Sequence, residues 1–211
     1  AMLLLIGGVF RGNTVTTFLC WSTVTAIGFA LVLLLGADWQ RVLTFNDMFV
    51  MDSFAGISKV ILLIGLMAAL SISVQYLEKE GVQRFEYPVL LLLSGVGMMV
   101  MISSYNLLTL YMGLELQSLS LYILAAMNRR NSKSAEAGIK YFILGALASG
   151  MILFGTSLIY GFAGAIDYGT LKTTLAASDG LNPGLTVGLV FMLAGFAFKV
   201  SAAPFHMWAP D

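Results

Sequence analysis

The sequence predicts an all-α fold: a polytopic bundle of transmembrane helices forming one domain over residues 1–211. Three observations predict it. Of 211 residues, 59% are hydrophobic and only 10% are charged, where a soluble domain carries roughly 25% charged residues. Mean hydropathy is +0.90. Apolar runs near the ~20 residues that span a bilayer recur along the chain, too long and too often repeated to be a signal peptide. No strand signal and no internal repeat is visible.

The same inventory excludes several function classes. A formal net charge of zero offers no basic stripe for nucleic acid. Cys20 is the one cysteine and His206 the one histidine. No disulfide, zinc site, iron–sulfur cluster or bis-histidine haem can be assembled from this chain's residues.

Seven apolar segments follow in order: 1–10 (a partial span), 14–35, 54–77, 88–103, 107–127, 135–162 and 185–207. The link 38–52 contains Trp39, Phe45 and Phe49, which reads as an interfacial aromatic stretch. The tract 178–183 reads as a loop leading into a helix, with Asn182 as cap and Pro183 in the first turn. Small residues at Gly145, Ser149, Gly155, Gly161 and Gly164 predict close helix packing. Arg11, Lys79, Arg84, Arg129, Arg130 and Lys133 fall in the first, third and fifth links, against Arg41 and Lys172 in the others. The positive-inside rule places the first set on the cytoplasmic or equivalent side. Lys59, near an outer helix end, is expected to snorkel to water. The chain begins at Ala1 with about half a span and stops at Asp211 just past a proline, so it reads as part of a longer protein.

Ionisable residues at membrane depth are costly, by roughly 2.5–3.5 kcal/mol on insertion scales, and commonly mark ion or proton paths. Glu115 sits near mid-segment. On a 3.6-residue period its face includes Tyr111, Ser118 and Tyr122, a polar stripe that points into a bundle. It reads either as a proton-path carboxylate or as a helix–helix hydrogen-bonding group. Lys140 follows Glu136 by four residues, so it is either a same-helix ion-pair partner or part of the path. Lys199 has no acidic residue in its own segment, and Pro204, five residues on, breaks the helix ladder. Backbone groups freed there are tolerated only where protein or a wet cavity covers them. His206 is either a further proton-handling group or an interfacial residue beside Trp208. A carboxylate and an ammonium on different helices stabilise each other's charge, and separating them favours the lysine's release of its proton. The expected proton-transfer residues are therefore Glu115, Lys140, Lys199 and His206.

Three stretches carry a family resemblance: G-L-E-L-Q-S-L-S-L-Y-I-L around Glu115, E-A-G-I-K-Y-F-I-L-G-A-L-A-S-G around Lys140, and F-K-V-S-A-A-P-F-H-M-W-A-P-D around Lys199. They closely resemble the antiporter-like, proton-pumping membrane subunits of respiratory complex I, NADH:quinone oxidoreductase, and most of all its N-type subunits. That family is related to Mrp-type cation/proton antiporters. The resemblance implies a fold of about fourteen transmembrane helices with two inverted repeats, each holding a broken helix. The first break would fall near Pro204, and the second repeat has no counterpart here. It implies that Glu115 and Lys199 form the charge pair of a half-channel and that Lys140 is an N-type lysine. NADH, FMN, iron–sulfur clusters and quinone would belong to other subunits, with no cofactor in this chain. The implied partners are other membrane subunits of complex I, further antiporter-like subunits among them, within the lipid bilayer. The implied location is a bacterial inner membrane, with the mitochondrial inner membrane as alternative. Two other readings stay open: an Mrp-type antiporter or membrane-bound hydrogenase subunit, and a structural scaffold whose buried charges only lock helices together.

Overall fold

The computed structural model of the protein describes residues 1–177 and 182–207. Residues 178–181 of the expected loop, and 208–211 with Trp208, lie outside the described residues. The elements are α1 (Met2–Arg11), a 3₁₀ turn (Gly12–Val15), α2 (Thr16–Leu35), β1 (Val42–Thr44), β2 (Phe49–Met51), α3 (Ser53–Lys79), α4 (Glu86–Ile102), α5 (Leu107–Ala125), α6 (Ser132–Ala163), α7 (Tyr168–Ala177) and α8 (Pro183–Lys199). The structure is thus a helix bundle, as the composition predicts. Helices α2, α3, α5 and α6 are long and apolar enough to cross a membrane.

Local chemistry starts the helices where the sequence changes character. Asp52, Asn106, Asn131 and Asn182 each accept a hydrogen bond from a first-turn backbone N–H, at 2.8, 2.7, 3.0 and 2.9 Å. Such caps satisfy donors that the helix cannot satisfy itself. At α8 the cap is the predicted Asn182, with Pro183 beginning the helix.

Packing runs in chain order, and the closest pairs are α4 with α5 and α6 with α8. Glycines permit both approaches. A Cβ on Gly97 would lie 2.6 Å from the Gly113 carbonyl oxygen, and one on Gly155 would lie 2.6 Å from that of Gly188. Gly161 meets no neighbour, and Gly164 ends α6 in a left-handed conformation, so neither serves the packing expected of it. Two buried clusters anchor the bundle: Ile27 with Leu63, Leu66 and Leu70, and Leu107 with Ile159, Leu171 and Leu185. In the four spanning helices only 22% to 39% of the most apolar window is buried. The remaining apolar surface needs lipid or other protein to cover it, because in water it would cost about 25 cal/mol per Å².

The expectation of no strands is wrong. β1 and β2 pair as an antiparallel hairpin, with Val42 opposite Met51 and Thr44 opposite Phe49. Phe45, Asn46 and Asp47 turn the hairpin with φ of 54°, 59° and 60°. β2 also bonds to the α4–α5 link: the Val50 N–H donates to the Ser103 carbonyl and the Tyr105 N–H to the Met48 carbonyl, at 2.8 and 3.0 Å. That link bonds onward to the α6–α7 link, Leu107 N–H to the Ile166 carbonyl and Tyr168 N–H to the Tyr105 carbonyl, at 3.0 and 3.2 Å. The second, fourth and sixth links are thereby stitched into one cap. At the opposite end Thr17 donates to Glu78 at 3.0 Å. The two sets of links lie at opposite ends of the bundle.

Candidate functional site

α8 ends at Lys199, five residues before the proline expected to break it. Ser201 takes φ 54°. The Ala202 N–H donates to the Ala197 carbonyl at 2.8 Å and the Ser201 N–H to the Phe198 carbonyl at 3.0 Å. This is a Schellman closure with serine in the position that glycine normally takes. Pro204, behind a cis bond, keeps the chain from resuming a helix directly. The break therefore puts Lys199 in the last helical position, where the negative end of the helix dipole favours a cation.

The Lys199 ammonium crosses to α5. It donates to the Ser118 hydroxyl at 2.8 Å and to the Tyr122 hydroxyl at 3.1 Å, and lies 5.6 Å from the Tyr122 ring centroid. Ser118 and Tyr122 are each 4% exposed. Glu115 is on the same α5 face, one turn earlier. It acts on Lys199 electrostatically, yet no direct ion pair joins them among the described residues. One Glu115 carboxylate oxygen is buried without a hydrogen-bond partner among the described residues. The site thus holds a cation on two hydroxyls, with a carboxylate on the same helix face.

Two other expected residues stand apart. Lys140 pairs with Glu136 four residues earlier at 2.5 Å, and both side chains are more than half exposed, at 53% and 62%. His206 is exposed in the irregular segment after α8, and no hydrogen bond joins it to Lys199 among the described residues.

Ser118 and Tyr122 were legible as members of the Glu115 stripe, but their contact with Lys199 was not. Lys59 corrects an expectation. It does not snorkel: it is 7% exposed, with its ammonium 3.7 Å from the Met51 sulfur and 4.8 Å from the Phe49 ring centroid. The hairpin folds over the start of α3 and closes the route to water. Trp39 likewise packs on Gly56 and donates to the Leu34 carbonyl at 3.0 Å, binding the link to the bundle.

The profile of the NADH:quinone oxidoreductase/Mrp antiporter transmembrane family matches residues 104–211, just over half of the chain and all of the candidate site. The chain belongs to that family. Among its relatives, NADH-quinone oxidoreductase subunit N of Granulibacter bethesdensis is 52% identical over 210 residues, and that of Parvibaculum lavamentivorans is 51% identical over 217 residues. Each alignment covers 100% of this chain and 44% of the relative, so the chain spans less than half the length of these curated relatives. Respiratory complex I from Thermus thermophilus contains a chain that superposes with a TM-score of 0.77 at 28% identity, over 100% of this chain and 44% of that one. The Mrp complex from Dietzia sp. shares the fold at TM-score 0.75 and 23% identity, over 97% of this chain and 40% of that one. The antiporter-like helical fold expected from the sequence is therefore the fold of this family.

Proposed function

We propose that this chain is the N-terminal part of a proton-translocating, N-type membrane subunit of NADH:quinone oxidoreductase. Protons move through a half-channel in which Lys199 is the switching group and Glu115 sets its charge state. Lys140, in an exposed pair with Glu136, and His206, exposed after α8, take supporting parts. The observation that carries this reading is the Lys199 ammonium at a helix break, bonded to Ser118 and Tyr122 beside an unpartnered Glu115 oxygen. Identity near 50% to relatives named subunit N favours complex I over an Mrp antiporter. In this reading NADH, FMN, iron–sulfur clusters and quinone are handled by other subunits. The partners are neighbouring membrane subunits and lipid, and the location is the bacterial inner membrane. The chain forms one transmembrane domain, with the second inverted repeat belonging to the rest of the subunit.

The test is NADH-driven proton uptake by inverted membrane vesicles carrying the full-length subunit or its Lys199→Ala form. Assembly is followed by native gel and by NADH oxidation with an artificial acceptor. Assembled complex that loses quinone-linked turnover and proton uptake together supports the reading. Loss of assembly makes Lys199 a structural lock, and unchanged uptake overturns the reading.

A further inference from the structure

A groove of about 610 Å³ opens between α4, α5 and α6. Arg84, Glu86 and Arg129 line it at the bundle end that collects the positive links, and Tyr122 lines it deeper in. Tyr122 is three residues from the end of α5, about 4.5 Å along the axis at 1.5 Å per residue. It is also the groove residue that touches Lys199; Ser118, the other partner of the ammonium, does not line the groove. The walls are mainly apolar, but Glu86 contributes a buried carboxylate oxygen that has no hydrogen-bond partner among the described residues. A buried acceptor of this kind is costly unless water reaches it.

The Tyr122 ring is held edge-on by Tyr141 and Phe142, with centroids 4.6 and 5.8 Å away. Its hydroxyl lies against Gly145 of α6, where a Cβ would collide with it. Any larger residue at 145 pushes the hydroxyl off the position in which it meets Lys199.

We propose that Tyr122 carries protons between this groove and Lys199, and that Gly145 is the spacer that holds its hydroxyl in place. The step is balanced. A hydronium ion in the groove gives a proton to the phenol oxygen while the phenol gives its own proton to the uncharged Lys199 amine. One O–H bond forms and one breaks at Tyr122, leaving the tyrosine unchanged and the lysine protonated. The inference rests on the proton-translocating reading above and names the residue through which that site meets its proton source.

The experiment uses the assembled complex in inverted vesicles, with four variants of the full-length subunit: Tyr122→Phe, Gly145→Ala, the two combined, and Lys199→Ala. Tyr122→Phe keeps the ring packing and is expected to lower NADH-driven proton uptake on the order of tenfold or more. Gly145→Ala is expected to lower it comparably. The combined variant is expected to fall no lower than the worse single one, since both act through one hydroxyl. A fluorotyrosine at 122, which keeps the shape but makes the phenol more acidic, is expected to restore uptake with an altered pH profile, a readout that a packing role does not move. Uptake by Tyr122→Phe at the parent rate overturns the proposal, as do losses that multiply in the combined variant. If Gly145→Ala fails to assemble, Tyr122→Phe and the fluorotyrosine decide alone. Lys199→Ala separates the two levels: normal uptake there sinks the function itself, whereas an inactive Lys199→Ala beside a normal Tyr122→Phe sinks only the role of Tyr122.

Discussion

Lys199 and Lys59 are both lysines drawn out of water, and they are held in opposite ways. Lys199 ends a helix, donates to two hydroxyls and lies beside a carboxylate with a free oxygen. Lys59 lies inside the unbroken α3 and is clamped by a sulfur and an aromatic ring beneath the hairpin. The first has two hydroxyls as partners and sits at the end of its helix, before a backbone break. The second has a sulfur and an aromatic ring as its nearest partners, with Asp52 as the carboxylate that acts on it. Burial alone therefore does not distinguish the two lysines; the hydroxyl partners and the helix end do.

The largest expected effect breaks this contrast directly. Replacing each lysine by methionine removes the charge and keeps the stem. Lys199→Met should cut quinone-linked proton uptake on the order of tenfold or more, while Lys59→Met should leave uptake within about twofold, since replacing a buried charge by an apolar isostere is often neutral or stabilising. Vesicle uptake and the melting temperature of the purified complex check both, and equal losses would erase the distinction.

Glu115→Gln sharpens the Lys199 side. It keeps the shape and removes the charge, so uptake should drop severalfold with assembly intact, as read by the same vesicle assay and a native gel. By contrast Lys140→Gln, which breaks an exposed pair within α6, should change uptake less than about twofold, because exposed ion pairs contribute little.

The helix break offers a smaller and purely structural test. Ser201 is held at φ 54°, a conformation that costs a non-glycine residue roughly 1–2 kcal/mol. Ser201→Gly should raise stability by about 1 kcal/mol and Ser201→Val should lower it, measured as shifts in the melting temperature of the complex.

The smallest effect concerns the cap at the other end of the bundle. Asp167 accepts from the Thr170 N–H at 2.7 Å, and the backbone and side-chain hydrogen bonds of Thr170 hold its carboxyl below its ordinary 3.8. Because the folded value is depressed, the stabilisation is fully present above 3.8 and fades as pH falls through the lower folded value. Hydrogen exchange at the Thr170 amide should stay protected, relative to the unfolded chain, down to that range, and Asp167→Ala should abolish the protection at neutral pH.

Much of this was legible in the residues. The 3.6-residue period put Ser118 and Tyr122 on the Glu115 face, and the structure puts the Lys199 ammonium on those two hydroxyls. Asn182 and Pro183 announced the start of α8, because capping is a local transaction between a side chain and the first turn. The hairpin was not legible. Three-residue strands leave no alternating pattern, and they are held by links distant in sequence. The break near Pro204 was legible, but the last residue of α8 was not. Proline forbids a helix at its own site, but where the preceding helix stops depends on which carbonyls find donors, and here Ser201 and Ala202, three and two residues before Pro204, supply them and end α8 at Lys199.

The sequence by itself determined the class and the cast: a helical bundle with apolar outer faces, and an acid and a lysine within its apolar segments. These follow from composition, periodicity and charge, which act locally or additively. Tertiary structure alone decided which lysine meets the polar face of α5 and which is sealed beneath a hairpin. It also decided that Glu115 keeps a free oxygen and that Gly145 leaves room for a hydroxyl. Those outcomes depend on the close approach of helices far apart in the chain, where a fraction of an ångström decides whether a contact forms.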